Sequence, residues 1–233
     1  MTGGPWAFEH HIGSAAESHG RTVAEPVRRS VWWLEVAAPA IVLGSTQADD
    51  VVDAAAGARH GVEVARRRSG GGAVWLAPGE VTWIDVVVPA TDDLWVSDIG
   101  RSTDWLGSVW VDVLAGLGVD GAAAHPGPLV RTPWSPLICF AGLGPGEIVV
   151  DGRKVIGISQ RRSRHAARFQ CAVLHRWRTR PLVDLLNRPA LARTAMAEIL
   201  DGPGGPLGLE ALGVDVAGET VVDALCASLR RLS

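Results

Sequence analysis

The sequence predicts an α+β fold, in which strands and helices are mixed without a regular strand–helix–strand alternation. Strand-like segments rich in β-branched and aromatic residues recur in the first half, most clearly at residues 81–88. Asp151-Gly152, a dipeptide typical of tight hairpins, joins two further strand-like segments. One long segment, residues 97–118, carries apolar side chains at helical three- and four-residue spacing. A doubly wound sheet requires steady alternation, so these features favour α+β.

Local composition predicts the remaining elements in chain order. Strands are expected at residues 31–36, 40–44, 62–65, 73–76, 81–88, 147–150, 154–159 and 169–174. Helices are expected at residues 14–19, from Asp49 or Asp50 to residue 59, and at residues 97–118, 181–187, 190–200 and 219–232. Residues 1–200 should form the main domain, with residues 201–233 supplying a Gly/Pro-rich linker and a closing helix packed on that domain.

Composition narrows the class of protein. The chain has 233 residues, 47% of them hydrophobic and 20% charged, which suits a compact globular protein. Its formal net charge of −3 argues against a nucleic-acid partner. Three scattered cysteines are too few for a disulfide framework or a zinc site, so we expect a cytoplasmic protein that holds no metal of its own. The N-terminus lacks the pattern of a signal peptide, and no apolar run of about 18 residues predicts a membrane span.

A cationic and glycine-rich segment, Arg66-Arg67-Arg68-Ser69-Gly70-Gly71-Gly72, is the most informative stretch. Glycine permits positive φ and close approach of a ligand, and successive exposed N–H groups form a concave anion site. Arginine adds a planar fork of donors that suits carboxylate or phosphate. The segment therefore predicts a cradle for an anionic small molecule. The alternative is a flexible hairpin turn flanked by solvated arginines.

A second segment places Lys154 at the start of an alternating strand, directly after the Asp151-Gly152 turn. Alternation puts Lys154 on one face with Ile156 and Ile158, and puts Val155, Gly157 and Ser159 on the other. A lysine on an apolar face is unusual. It is either a side chain that extends to solvent at the hairpin end, or a cation held against a developing negative charge.

These segments carry a resemblance to a known family. The stretch from Arg67 to Val74 resembles the Arg-Arg-x-x-Gly-Gly-Gly-x-Val signature of the lipoate–protein ligase A and octanoyltransferase superfamily. Residues 152–160 resemble its second signature, built around Lys154, and residues 39–47 resemble its Pro-x-[Val/Ile]-x-[Leu/Ile]-Gly-x-x-Gln strand. The resemblance extends over residues 31–187, with the motifs in the family's order.

The resemblance implies a mixed, largely antiparallel sheet flanked by helices, as in the catalytic domain shared with biotin ligases. It implies attachment of lipoate or octanoate to a lysine of the lipoyl domain of a 2-oxoacid dehydrogenase E2 or a glycine-cleavage H protein. In the ligases the acid first reacts with ATP and Mg²⁺ to give acyl-AMP. Lys154 is the implied catalytic cation. The implied binding residues are Arg67, Arg68, Ser69, Gly70, Gly71, Gly72, Ala73, Gly157 and Ser159.

The chain also departs from the ligase pattern. Cys139-Phe140 followed by Glu147 resembles cysteine-dependent octanoyl and amido transferases, whose thiol carries the acyl group as a thioester received without ATP, for example from acyl carrier protein. The Arg-Asn-Asp of the ligases is missing before the hairpin, their usual histidine is replaced by Cys171, and their accessory domain is absent. The alternatives are therefore a transferase with Cys139 as a second catalytic residue, or a non-catalytic homologue that binds an acyl group or nucleotide.

Overall fold

The computed structural model describes residues 5–232, which form ten strands and six α-helices. The strands are β1 (Ala7–Gly13), β2 (Ser30–Val36), β3 (Ala40–Leu43), β4 (Glu63–Arg66), β5 (Val74–Leu76), β6 (Val81–Pro89), β7 (Ala122–Ala124), β8 (Ile148–Val150), β9 (Arg153–Arg162) and β10 (Ala166–Leu174). The helices are α1 (Ala15–Gly20), α2 (Ala54–Arg59), α3 (Asp104–Gly116), α4 (Arg180–Val183), α5 (Ala190–Asp201) and α6 (Gly218–Arg230). In the described residues, no helix has the length and apolar character needed to cross a membrane.

Two sheets organise these elements. The larger has seven strands in the order β1-β2-β6-β10-β9-β8-β7, and the smaller has three in the order β4-β3-β5. Within them, β1 runs parallel to β2 and β3 parallel to β4, whereas the other pairs are antiparallel. The predicted α+β class, with a mixed and largely antiparallel sheet flanked by helices, is confirmed.

The core is divided between the two faces of the large sheet. On one face, Trp110 of α3 and Leu225 of α6 pack against strand residues such as Phe169. On the other face, the small sheet packs through Val42 against Trp83 and its neighbours. The C-terminal helix α6 therefore contributes directly to the main core rather than forming a separate unit.

Several predicted boundaries are wrong, for local reasons. The predicted helix at residues 97–118 begins only at Asp104, because Asp98 accepts a hydrogen bond from the N–H of Gly100 and holds a turn there. The predicted helix before residue 59 is two pieces, a short 3₁₀ turn at Asp49–Val51 and then α2, which Asp53 caps by accepting from the N–H of Ala56. Strands β1 and β7 were not predicted.

Candidate active site

A cavity of about 530 Å³ opens between the glycine loop, the turn that holds Cys139, and strand β9. Gly70, Gly71 and Gly72 line it on one side, and Lys154 lines it on the other. The two segments that the sequence analysis singled out therefore converge on one cavity. The other lining residues are Thr46, Gln47, Val51, Leu129, Arg131, Ser135, Pro136, Cys139, Gly142, Gly144, Glu147, Ile158 and Ser159.

The glycine loop is a closely packed crossover rather than a hairpin, because β4 and β5 lie on opposite sides of β3. Gly71 has φ +101°, a conformation that favours glycine. A Cβ on Gly44 would lie 1.9 Å from the carbonyl oxygen of Gly71, and one on Gly72 would lie 2.6 Å from the backbone of Ile138. Backbone therefore packs on backbone at both points, and the flexible-turn alternative does not describe this loop.

Two of the arginines hold the loop in shape. The guanidinium of Arg67 is buried and donates to the carbonyl oxygens of Gly70 and Gly72, at 2.9 and 2.8 Å. Arg66 donates to the carbonyl oxygen of Gly44 at 2.7 Å and pairs with Asp49. The signature has two residues between its arginine pair and its glycines, so Arg66 and Arg67 fill the pair, which corrects the assignment to Arg67 and Arg68.

Arg68, one of the predicted binding residues, lies apart from this bracing. Its side chain is exposed and does not line the cavity. A neighbouring cation, Arg161, has a pKa lowered by burial and by the charges of Arg68 and Arg168. Arg68 therefore belongs to a positively charged rim outside the cavity.

Three successive residues of the cavity lining, Gly70, Gly71 and Gly72, have backbone N–H groups without a partner among the described residues. In residues 5–232, no acceptor pairs with the N–H of Gly70, Gly71 or Gly72, whereas the next N–H, that of Ala73, donates to the carbonyl oxygen of Leu137 at 2.8 Å. Successive unpaired N–H groups in a tight loop form an anion-binding concavity. A cradle for an anionic group at this loop would therefore use main-chain donors, with Arg66 and Arg67 supporting the loop from behind.

Lys154 is held by three acceptors on the opposite side. Its Nζ lies 2.7 Å from Oε2 of Glu147 and donates to the carbonyl oxygens of Cys139 and Gly142 at 3.3 and 3.2 Å. Glu147 also accepts from the N–H groups of Gly144 and Ile158. Both charged side chains are buried, so the pair forms a neutral, fully hydrogen-bonded unit in the cavity wall.

A β-bulge explains how a lysine can sit on this strand. Lys154 and Val155 together lie opposite Val149, which leaves one extra residue on β9 and breaks the alternation. Lys154 therefore does not share a face with Ile156, and that prediction is wrong. A Cβ on Gly157 would lie 3.3 Å from Cε of Lys154, so Gly157 leaves room for the lysine stem on the cavity face.

Cys139 opens a one-turn 3₁₀ helix, Cys139–Ala141, on the cavity wall. Its N–H donates to the carbonyl oxygen of Ala73 at 2.9 Å, which ties the turn to the end of the glycine loop. Its Sγ lies 3.7 Å from the position of a Cβ on Gly71. The thiol therefore lies next to Gly71, and the carbonyl group of the same residue accepts from Lys154.

A chain of polar side chains supports the loop from below. The hydroxyl oxygens of Ser69 and Ser159 lie 3.1 Å apart, and Ser69 donates to Gln170 at 3.2 Å. The amide of Gln170 in turn lies 3.2 Å from Nδ1 of His19. His19 stacks on Trp83 with ring centroids 4.2 Å apart. Burial, and then the charges of Arg168 and Arg67, lower the pKa of His19 to about 3, so the imidazole is neutral.

The position at which the resemblance implies a histidine lies in the core instead. Cys171 is fully buried on β10, and the indole N–H of Trp110 donates to its Sγ at 3.4 Å. Burial raises the pKa of the Cys171 thiol to about 12. This thiol is accordingly a packing group and does not line the large cavity.

The residues that line the cavity suit an acyl-adenylate better than they suit Mg²⁺. Backbone N–H groups and a lysine suit the carbonyl and phosphate oxygens of an acyl-adenylate. Mg²⁺ prefers carboxylate ligands, and Glu147, the single carboxylate among the described lining residues, is already engaged by Lys154 and two N–H groups. The donor set therefore suits the acyl phosphate and offers Mg²⁺ no free carboxylate.

Sequence reasoning missed two features of this site. One is the pairing of Glu147 with Lys154, for which only the Cys-Phe…Glu resemblance gave a signal. The other is Gln47, whose side chain accepts from the N–H of Gly44 and donates to the carbonyl oxygen of Pro136, at 2.9 and 2.8 Å. This residue ends the motif at residues 39–47, so the motif holds the cavity wall together.

Residues 6–229 match the family model described as the lipoyl protein ligase A/B catalytic domain. A comparison with curated proteins gave no match.

Solved structures share the fold at low sequence identity. A bi-partite lipoate protein ligase from Thermoplasma acidophilum, studied with its E2 lipoyl domain, is 20% identical with a TM-score of 0.75, over 100% of this chain and 84% of that one. Protein Ta0514 of the same organism, a putative lipoate protein ligase with bound lipoic acid, is 21% identical with a TM-score of 0.71, over 100% and 86%. A lipoate-protein ligase A bound with ATP is 21% identical with a TM-score of 0.69, over 100% and 85%.

Proposed function

The chain belongs to the lipoyl protein ligase A/B catalytic domain family, and we propose that it transfers lipoate or octanoate to the acceptor lysine of a lipoyl domain. The observation that carries this proposal is the convergence of the loop N–H groups and Lys154 on one cavity. Similar structures are described with bound lipoic acid, with ATP, and with an E2 lipoyl domain, which supports the same substrates here.

The first route proceeds through acyl-AMP. The carboxylate of the acid attacks the α-phosphate of ATP and releases pyrophosphate. The acceptor amine then attacks the acyl carbonyl, AMP leaves, and the amine loses a proton. Negative charge develops on the carbonyl oxygen in this second step, and the N–H groups of residues 70–72 and Lys154 stabilise it. Catalysis on this route rests on positioned donors, with no protein nucleophile.

A second route uses Cys139, and the position of its thiol favours it. The Sγ lies beside Gly71, 3.7 Å from the position of a Cβ there, and Cys139 lines the cavity within reach of an acyl group held by the loop. The thiolate attacks the carbonyl of an acyl thioester, such as octanoyl acyl carrier protein, and the donor thiolate leaves. The acceptor amine then attacks the new thioester, the Cys139 thiolate is released, and the amine loses its proton. This route requires neither ATP nor Mg²⁺.

The proposal also includes the acceptor protein, the cellular compartment and the division of the chain into domains. The proposed acceptor is a lysine of the lipoyl domain of a 2-oxoacid dehydrogenase E2 or a glycine-cleavage H protein. The proposed compartment is the cytoplasm, in keeping with three scattered cysteines and no disulfide framework. Residues 1–200 carry the site, and residues 201–233 complete the same catalytic domain through the packing of α6 on α3.

The test is the mass of a lipoyl domain incubated with the protein and one of two donors. Octanoate with ATP and Mg²⁺ supplies the first route, and octanoyl acyl carrier protein supplies the second. A gain of one octanoyl group is expected, absent when the acceptor lysine is replaced by arginine. Cys139→Ser should abolish transfer on the second route and leave the first intact. No gain with either donor would overturn the proposal, and tight octanoate binding without turnover would support the non-catalytic homologue.

A further inference from the structure

The two edges of the seven-stranded sheet differ in exposure. At one edge, β7 has only three residues, and α3 packs beside it. At the other, β1 has seven residues, paired on one side with β2 in an unbroken register. Phe8 and Ile12 on β1 are 51% and 63% exposed. A long strand with exposed apolar side chains at a sheet edge is a template for pairing with another strand.

Soluble proteins usually protect such edges, and β1 lacks most of the usual protection, with Glu9 as its one carboxylate. Its sequence, AFEHHIG, contains no lysine and no proline, and its pairing with β2 shows no bulge. The helix that follows, α1, turns back across a face of the sheet: the carbonyl oxygen of Ser18 accepts from the buried guanidinium of Arg168. In residues 5–232, therefore, no element extends the sheet beyond β1.

The backbone of β1 leaves alternate residues free to bond at the open edge. The N–H of Ala7 donates to Arg29, and the carbonyl oxygen of Gly13 accepts from Ala37, each at 2.9 Å. In a parallel ladder each residue directs both of its backbone groups to the same side, so odd-numbered residues bond β2. Phe8, His10 and Ile12 therefore direct both their N–H and C=O groups outward.

We propose that two copies of this chain associate through β1, as antiparallel strands related by a two-fold axis at His10. In this register Phe8 of each copy lies opposite Ile12 of the other, and His10 lies opposite His10. These are the residues whose backbone groups point outward, so three pairs exchange two main-chain hydrogen bonds each. One continuous sheet then runs through both copies.

The side chains select this register over its neighbours. It places Phe8 against Ile12 on one face, and on the other face it places Glu9, with a 49% exposed side chain, opposite His11. In the two adjacent registers with the same hydrogen-bonding pattern, Phe8 or Ile12 lies opposite His10 instead, and one of the two also places Glu9 opposite Glu9. Apolar side chains directly opposite each other are stabilising, whereas like charges are destabilising. The strand is therefore complementary to itself in one register, which favours a second copy as the partner.

This association leaves the proposed active site open. β1 is separated from β9 by β2, β6 and β10 in the large sheet. The cavity beside Lys154 therefore remains accessible in both copies. The inference does not depend on the proposed acyl transfer, since it rests on a different edge of the sheet.

The first test measures oligomeric state by analytical ultracentrifugation over a range of protein concentrations. The wild-type protein should show concentration-dependent dimers, and Phe8→Lys or Ile12→Lys should raise the dissociation constant at least about tenfold, because each buries a lysine against an apolar group. The double variant Phe8→Lys/Ile12→Glu should recover dimers, since the register brings these two positions together. Leu191→Lys, at an 83% exposed position on α5, is the matched control and should dimerise like the wild type.

The second test traps the register with cysteine and does not depend on how well the lysine variants fold. Opposite residues in a hydrogen-bonded antiparallel pair have Cα atoms about 5.5 Å apart, which suits a disulfide. His10→Cys should therefore form a covalent dimer under mild oxidation, beyond any formed by the wild type through its own cysteines. Phe8→Cys alone should not, but the double variant Phe8→Cys/Ile12→Cys should. A monomeric wild type together with no His10→Cys cross-link would overturn the proposal, as would equal cross-linking of all three variants.

Discussion

The two sides of the large cavity differ in whether their hydrogen-bonding groups already have partners within the protein. On the loop side, the N–H groups of residues 70–72 have no acceptor among the described residues, although the loop itself is fixed by Arg67 and by contact with Gly44. On the hairpin side, Lys154 has three acceptors and a buried counter-charge in Glu147. The loop side is rigid, and its N–H groups lack acceptors within the described part of the chain. The hairpin side has its hydrogen bonds satisfied and its two charges paired.

This difference suggests that the loop binds the ligand, whereas Lys154 stabilises charge that develops during the reaction. An anionic group can hydrogen-bond to the loop without breaking any existing contact. To reach Lys154, it must share the ammonium group with Glu147 or replace one of the two carbonyl acceptors. We therefore expect the loop to dominate the affinity for an acyl ligand, and Lys154 to act as charge develops in the reaction.

The largest effect is expected from Lys154→Ala. Transfer should be abolished, and the free energy of unfolding should fall by about 3–5 kcal/mol, because Glu147 is left as an unpaired buried charge. The measurements are the acceptor mass and urea unfolding. The double variant Lys154→Met/Glu147→Gln is the control and should regain much of the stability without regaining transfer. Full transfer by Lys154→Ala would show that the lysine has no part in the reaction.

Two glycines test the rigidity of the loop side. Gly44→Ala should lower the free energy of unfolding by about 3 kcal/mol or displace the loop, because the new Cβ would lie 1.9 Å from the carbonyl oxygen of Gly71. Gly70→Ala is the matched control, since a Cβ there meets no atom within 4 Å. Octanoate binding should be lost in the first variant and retained in the second. Equal stability and binding in the two variants would mean that the loop is flexible.

The last effect is confined to acidic pH and is a pH dependence that arises beneath the loop. The pKa of His19 is lowered from 6.5 to about 3 in the folded protein. The unfolded chain therefore binds a proton below about pH 6.5 that the folded protein does not, so the free energy of unfolding should decrease as the pH falls, by up to about 1.4 kcal/mol per pH unit. Urea unfolding between about pH 6.5 and pH 4 should show a steeper decrease in the wild type than in His19→Asn. Parallel curves would contradict a buried neutral His19.

The features that could be predicted are those determined by the local amino-acid sequence. Strands β2 to β6 and the β8–β9 hairpin follow from composition and turn chemistry, and Asp151 and Gly152 both have positive φ, as the predicted tight turn requires. The anion cradle at the triglycine loop was inferred from local sequence in the same way, and it stays a prediction. Its bracing by Arg66 and Arg67 was not predicted, because the carbonyl groups that they bind are brought close only by the crossover past β3.

The features that could not be predicted depend on how the strands pair in the folded protein. The cavity face of Lys154 was not predictable from alternation, because the bulge opposite Val149 exists only when β8 and β9 pair. Strand β1 has no alternating pattern of burial to reveal it, since both of its faces are largely exposed. The same exposure that hid β1 in the sequence is the basis for its proposed role in association.

The most direct test of the account is the position of octanoate or lipoate in crystals of the protein soaked with either acid. We predict that the carboxylate lies within about 3 Å of the N–H groups of residues 70–72, between the glycine loop and the Lys154 ammonium group. A ligand found instead in the separate cavity of about 480 Å³ beside Arg153 and Arg176 would contradict the account. So would a glycine loop that remains without ligand at saturating concentrations of both acids.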